Sequence, residues 1–217
     1  MLLAVEQSTA MGSVAVFKDG QCIACREYPA RMAGGTDAGA MIAALLSDIG
    51  RATASRLAVT AITHCAVGVG PGSFSGIRSV LGYLQGFCAP RRLPLIGIPG
   101  AAACARALVG DRDQRPETRA AATLSIIGDA RRGHYWLADY RWDGERIHEV
   151  SSLRLMPYDK FSILNPQSSI LHSPEPERIH AEGVTRVIPT AREVGLLALD
   201  SPALHCAPLP LYLHPAV

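Results

Sequence analysis

The stretch LLAVEQSTAMGSVAVFKDGQCIACREY, from Leu2 to Tyr28, decides the fold of the chain. An apolar run ends at an acid, Glu6, and a tight turn leads into a second run in which apolar residues alternate. The Asp19-Gly20 turn then leads into a third run. Because a DG dipeptide between alternating runs is a strong hairpin signal, we predict a meander of three antiparallel strands.

The same pattern returns in ATLSIIGDARRGHYWLADYRWDGERIHEVSSLRL, which begins at Ala122. An apolar run ends at Asp129, a second run covers Tyr135 to Tyr140, and a DG turn at Asp143-Gly144 precedes a third. Two meanders with matching acids at the first turn indicate an internal duplication.

We therefore predict two related halves, residues 1–110 and 111–217, with the polar segment Gly110–Arg119 between them. Strand and helix signals alternate after the first meander, which predicts a mixed sheet with helices packed on it. The predicted helices run from Thr36 or Asp37 to Ile49, from about Ser75 to Ala89, around Ala101 to Val109 and near Ala191 to Leu199, and a short terminal strand covers Leu209 to Leu213.

Composition is that of an ordinary globular protein: 217 residues, 48% hydrophobic and 18% charged. A net charge of +2, with no basic tract that contains aromatics, argues against direct binding of nucleic acid. We see no targeting segment and no apolar run long enough to cross a membrane, and the six cysteines are scattered. We therefore expect a cytoplasmic protein with reduced thiols.

The glycine-rich stretch GVGPGSFSGIRS, from Gly68 to Ser79, follows an apolar run and precedes a helical segment. It lacks the lysine of a phosphate-binding P-loop, and Phe74 stands where a nucleophile elbow needs serine. Two readings stay open: a tight strand-to-helix turn, or backbone contact with an anion at the start of the helix. The residues concerned are Gly70, Gly72, Ser73, Ser75, Gly76 and Arg78.

The helix after this turn contains Gly82 and Gly86, and a glycine inside a helix costs about 1 kcal/mol relative to alanine. Such a cost indicates close approach of another element, either the chain's own sheet or a helix of another subunit. The candidate interface residues on this helix and the preceding one are Met41, Ile42, Leu45, Ile77, Leu81, Gly82, Leu84 and Gly86.

Metal ligation has little support in the sequence. No H-x-x-x-H pair is present, and Cys22 and Cys25 form a single C-x-x-C in a predicted strand. Regular alternation would place the two thiols on opposite faces of the sheet. We therefore predict no metal site and no catalytic residue.

Several segments in order resemble the bacterial TsaB (YeaZ) family. They are LAVEQST, GSVAVFKDG, VGVGPGSFSGIRSVLGYLQGF, LPLIGIPG, IIGDARRGHYWLADY and the terminal PLYLH. The resemblance is weak between Leu153 and Pro189. It implies an α/β fold of the actin-like, sugar-kinase-like (ASKHA, ribonuclease H-like) class, with two related halves that each carry a mixed sheet and helices.

The resemblance also implies a non-catalytic role in threonylcarbamoylation of adenosine 37 in tRNA. Such a subunit pairs with the TsaD-type transferase and works with the TsaE-type ATPase, or forms a homodimer without its partner, through two helices of the first half. It reaches tRNA only through the complex and has no membrane partner. No cofactor is expected on the isolated chain, and ATP or ADP only at a partner junction.

Two acids correspond to nucleotide-site acids of actin-like folds, but in degenerate form. Family members usually carry Asp at the position of Glu6, while Asp129 is retained and caps its turn in the simplest interpretation. The alternative function is a glycoprotease-like metallopeptidase or an ATP-binding enzyme that acts alone.

Overall fold

The computed structural model describes residues 1–30, 38–52, 59–110, 122–164 and 170–214. The predicted helix cap at Thr36 or Asp37 lies outside these residues, as does nearly all of the predicted linker. The chain forms two compact units, Met1–Gly100 with Pro189–Leu211, and Ala101–Ile188 with Tyr212–Val217.

The first unit contains a mixed sheet with the strand order β3-β2-β1-β4-β5. Its strands are β1 (Leu2–Glu6), β2 (Met11–Lys18), β3 (Gln21–Pro29), β4 (His64–Gly68) and β5 (Leu95–Ile98). The three strands of the meander pair antiparallel, whereas β4 pairs parallel with both β1 and β5. The predicted first meander is confirmed.

The second unit contains a sheet with the strand order β10-β9-β6-β7-β8. Its strands are β6 (Ala122–Arg131), β7 (His134–Trp142), β8 (Ile147–Pro157), β9 (Leu171–Ser173) and β10 (Thr185–Arg186). A meander is again followed by a strand that pairs parallel with its first member. Since the connectivity repeats that of the first sheet, the two halves are related as predicted.

The described helices are α1 (Ala38–Ala52), α2 (Phe74–Cys88), α3 (Gly100–Val109), α4 (Tyr158–Leu164) and α5 (Ala191–Asp200). Four of the described helices lie close to their predicted positions, whereas α4 was not predicted. Helix α1 continues past Gly50, where the sequence predicted its end. Arg51 in its last turn forms an ion pair with Asp48, and its positive charge interacts favourably with the helix dipole. The predicted strand at Leu209–Leu213 is wrong, and Leu211 contributes one backbone hydrogen bond, to Val69, at 3.0 Å.

Helix α5 belongs to the first unit, although the sequence assigned residues 111–217 to the second half. It packs on β1, β2 and β4, whose central residues are buried on both faces of the sheet. The backbone N–H of Ala191 donates to the Ser13 hydroxyl at 2.8 Å, and a side chain at Gly195 would overlap the ring of Phe17. A sheet that is apolar on both faces must be covered on both faces. The chain therefore leads back to the first unit after the second sheet and supplies α5 as the cover.

Helices α1 and α2 cover the opposite face of the same sheet. Their inward side chains form one core with alternate residues of the strands, such as Leu3, Val5, Val14 and Val16. Leu84 of α2 lies in this core with 0% of its surface exposed. Gly82, two residues earlier, is exposed, and a Cβ built there would meet no described atom within 4 Å.

This contrast within one helix predicts opposite effects of two alanine substitutions. Leu84→Ala removes a buried side chain and should lower the free energy of unfolding by about 2–5 kcal/mol. Gly82→Ala improves helix propensity without a clash and should raise it by about 1 kcal/mol. Urea denaturation of both variants measures the two values, and a loss of stability in Gly82→Ala would contradict the exposed placement.

Candidate functional site

The glycine-rich stretch forms the turn between β4 and α2 and lies directly against the turn between β1 and β2. The Ser73 N–H donates to the Ser8 carbonyl at 2.7 Å. A side chain at Gly72 would overlap Ser8, and one at Gly76 would overlap the carbonyl of Gln7. These glycines therefore permit close packing of two backbone segments, which supports the architectural reading of the stretch.

Ser73 is the N-cap of α2, because its hydroxyl accepts from the Gly76 N–H at 3.3 Å. Both Ser73 and Gly76 thus use their N–H groups within the chain. Arg78 is exposed, and its guanidinium lies 5.0 Å from the centroid of the Phe74 ring. Contact of this helix terminus with an anion stays a prediction.

Glu6 ends β1 and is completely buried, with 0% exposure. Its Oε1 accepts from the Ser8 N–H at 2.5 Å, while its Oε2 has no hydrogen-bond partner among the described residues. A side chain at Gly68 would overlap this Oε2, so the carboxyl occupies the space above that glycine. Burial raises the pKa of Glu6 above its ordinary value of 4.5, although hydrogen bonds from Ser8 and Gln7 act in the opposite direction.

Asp129 lies in the corresponding position of the second unit, near the end of β6. Its Oδ1 accepts from the Arg131 N–H at 2.7 Å and from the Tyr158 hydroxyl at 2.8 Å. Arg131 and Arg132 both have positive φ, of 64° and 53°, in the left-handed region that side chains rarely adopt. The carboxylate therefore stabilises an unusual turn, as the simplest interpretation of the sequence expected.

Two arginines surround the other carboxylate oxygen of Asp129. Arg131 Nη1 lies 3.0 Å from Oδ2, and Arg178 Nη1 lies 3.9 Å from it. Arg178 also pairs with Glu175, at 3.4 Å, and burial raises the pKa of that glutamate. The hydrogen bond with Asp129 raises the pKa of Tyr158. No sequence pattern predicted this cluster, since its members come from distant segments.

The structure divides the predicted interface residues into two groups. Five are buried in the unit's own core, where they are unavailable to a partner: Ile42, Leu45, Ile77, Leu81 and Leu84. Met41 is partly buried against the same core, whereas Gly82 and Gly86 are exposed with open space around them. The apolar stripes were assigned to an interface although they face the sheet, because both roles produce the same helical periodicity.

Many exposed residues of the helix pair are small and uncharged, and sequence reasoning missed them, although Arg51, Phe74, Arg78 and Gln85 are exposed on the same helices. On α1 and α2 together, they are Ala40, Ala43, Ala44, Ser47, Ser75, Ser79, Gly82 and Gly86. We call this set the small-residue face. These residues could have been found from the sequence as the helix positions that lie outside the apolar stripe, since such positions point away from the core.

Among the described residues, no packing explains the two helical glycines. The Cβ positions of Gly82 and Gly86 meet nothing within 4 Å, whereas the equivalent position at Gly39 of α1 would overlap Tyr83 of α2. The sequence reading in which both glycines pack against the chain's own sheet is therefore wrong. Their contact with another subunit stays a prediction.

Among the residues that the structure describes, no group of three or more His, Cys, Asp or Glu side chains is placed to hold a metal ion. None of the described helices is long and apolar enough to cross a membrane.

A family model described as "TsaD: tRNA N6-adenosine threonylcarbamoyltransferase" matches residues 39–188. The chain is 32% identical over 160 residues to the Escherichia coli K12 "tRNA threonylcarbamoyladenosine biosynthesis protein TsaB". That alignment covers 69% of this chain and 61% of the E. coli protein. The chain belongs to the TsaB/YeaZ family.

Solved structures agree with this TsaB/YeaZ assignment at the level of the fold. "YeaZ from Pseudomonas aeruginosa" superposes with a TM-score of 0.70 at 19% identity, covering 98% of this chain and 99% of that one. A P. aeruginosa protein described as similar to peptidase YEAZ gives the same TM-score and coverage at 20% identity. The predicted α/β fold of the actin-like class is confirmed.

Ser73 and Ser75 are both placed to cap α2 by sequence alone, and the structure distinguishes them. Ser73→Ala should lower the free energy of unfolding by about 1 kcal/mol, because the Gly76 N–H loses its acceptor. Ser75→Ala is the matched control and should change it by less than about 0.5 kcal/mol. Equal losses in thermal or urea denaturation would contradict this assignment of the cap.

The buried carboxyl of Glu6 predicts a specific pH dependence of stability. Its pKa is higher in the folded than in the unfolded chain, so the folded chain binds more protons and loses stability as the pH rises from about 4.5 through the folded pKa. Glu6→Gln removes this dependence, so its melting temperature relative to the wild type should rise between pH 4.5 and pH 8. The exposed Glu27→Gln is the control, and parallel curves for wild type and Glu6→Gln would refute the prediction.

Proposed function

We propose that this chain is a non-catalytic subunit required for threonylcarbamoylation of adenosine 37 in tRNA. It heterodimerises with a TsaD-type transferase and activates it, and a TsaE-type ATPase completes the complex. Membership in the TsaB/YeaZ family supports this role, as does the match to a family model whose description names the transferase.

The observation that carries the proposal is the small-residue face of α1 and α2. Its own residues have no charge, although the exposed Arg78 lies one turn before Gly82, and the two glycines in α2 cost about 1 kcal/mol each in helix stability. Since no described residue lies within 4 Å of a Cβ built at Gly82 or Gly86, packing among the described residues does not offset that cost. Small residues on a helix surface let a second helix approach closely, so a helical partner offsets the cost.

The family match supports a TsaD-type subunit as the partner. A TsaD-type subunit is related to this chain over the region of both helices, because the matched model begins at residue 39 and includes α2. Related surfaces pair readily about a two-fold or pseudo-two-fold axis. The same face therefore supports a heterodimer with TsaD, and a homodimer when TsaD is absent.

The remaining parts of the proposal concern tRNA, nucleotide and location. With a net charge of +2, the chain has little electrostatic attraction for nucleic acid and reaches tRNA through the complex. Glu6 is buried and Asp129 is held by Arg131 and Tyr158, so the isolated chain is not expected to bind ATP or ADP, for which a partner junction is the one candidate site. The complex acts in the cytoplasm.

The decisive experiment places a large charged side chain on the small-residue face. Gly82→Arg should weaken binding to the TsaD-type subunit of the same organism by about 30-fold or more, because the guanidinium blocks close approach of the helices. Isothermal titration calorimetry measures the affinity. Reconstituted threonylcarbamoylation of tRNA should fall in parallel at subunit concentrations near the wild-type dissociation constant.

Gly82→Ala is the matched control, since it adds one methyl group and should retain most of the affinity. Circular dichroism and thermal denaturation establish that both variants fold, as the open space around Gly82 leads us to expect. Wild-type affinity in Gly82→Arg would exclude this face as the interface. Full transferase activity of the TsaD-type subunit without this chain would refute the proposed function itself.

A further inference from the structure

The C-x-x-C motif of β3 adopts an arrangement that regular strand geometry forbids. Cys25 pairs with Ala15 of β2, and Cys22 pairs with Phe17, with a shift of register between them. Ile23 is the additional residue of this β-bulge. Because Ala15 and Phe17 are two positions apart on β2, they share one face of the sheet, and so do the two cysteines.

The predicted placement of Cys22 and Cys25 on opposite faces is therefore wrong, and the bulge is the physical reason. Both thiols lie on the face that α5 covers, where Gly195 contacts Phe17. The electrostatic surroundings of Cys25 agree, since they include Cys22 on its own strand and Glu193 and Arg192 of α5.

The spacing of the pair is at the upper limit for a disulfide bond. Two residues along a strand span about 6.6 Å between Cα atoms, which is the separation of the partners Ala15 and Phe17 on β2. Disulfides link Cα atoms roughly 4.4–6.8 Å apart and Cβ atoms roughly 3.5–4.5 Å apart, so the edge strand must adjust locally when the bond closes. The Cys22 thiol also donates to the Ala24 carbonyl at 3.6 Å, so its sulfur lies beside the strand between the two positions.

The pair is also accessible, unlike most of the other cysteines. Strand β3 is an edge of its sheet, Cys25 is exposed and Cys22 is half-buried. By contrast, Cys65, Cys88 and Cys104 are buried. Cys206 is exposed but belongs to no C-x-x-C motif.

We infer that Cys22 and Cys25 are a redox-active dithiol that closes into an intramolecular disulfide with a disulfide oxidant such as oxidised glutathione. The Cys25 thiolate attacks one sulfur of the oxidant, breaks its S–S bond and releases one glutathione thiolate, which takes up a proton. The Cys22 thiolate then attacks the Cys25 sulfur and expels the second glutathione. The cysteines lose two electrons and two protons, and two glutathione thiols form.

The surroundings make this step slow near neutral pH. Burial, Cys22, Glu193 and Glu27 raise the pKa of Cys25 to about 11, while Arg192 acts in the opposite direction. The thiolate is the nucleophile, so the rate of the first step should rise about tenfold per pH unit between pH 7 and pH 9.

The test uses the full chain, reduced and then incubated with oxidised glutathione. After alkylation with iodoacetamide under denaturing conditions, trypsin releases the peptide Asp19–Arg26, which contains both cysteines. Mass spectrometry should find this peptide two hydrogen atoms lighter than its reduced form, without glutathione or alkyl groups. Cys206 serves as the exposed control and should carry either a glutathione or an alkyl group.

Substitution of one member separates the two steps. In Cys22→Ser, the first step proceeds but the second cannot, so Cys25 should retain a glutathione adduct that the wild type lacks. The inference fails if wild-type Cys25 retains glutathione as the variant does. It also fails if both cysteines of the wild type remain alkylated while Cys206 carries glutathione.

Discussion

The close backbone contact between the β1–β2 turn and the glycine-rich turn after β4 is the constraint on which the first unit depends. Ser73 donates to Ser8 across this contact, and Gly72 and Gly76 lie where any side chain would collide with the opposing backbone. The buried carboxyl of Glu6 fills the space above Gly68. Glycine is needed here because two main chains approach within the space of a single Cβ.

This contact determines how α2 sits on the sheet. The cap at Ser73 is fixed by its bond to Ser8, so the residue at which the helix begins is fixed as well. The helical period then turns Leu84 into the core and Gly82 toward the outside. A feature that resembles a phosphate loop in sequence therefore acts at a distance, by deciding which residues of α2 are exposed.

The sequence predicted those parts of the fold that depend on short-range patterns. DG turns and alternating apolar residues were sufficient for both meanders, and apolar stripes for the helices. The bulge at Ile23 had no such signal, because one additional residue in a strand leaves the composition unchanged. The packing of α5 on the first sheet was also missed, since it depends on contacts between distant segments such as Ser13 and Ala191.

The candidate site was harder to predict because core and interface share one signal. An apolar stripe on α2 is equally compatible with either role, and in the structure it is core. The informative residues were the two glycines, whose unfavourable helix propensity is independent of the stripe. Since the described residues offer no packing against Gly82 or Gly86, these glycines are exposed, and the small-residue face follows from their neighbours on α1 and α2.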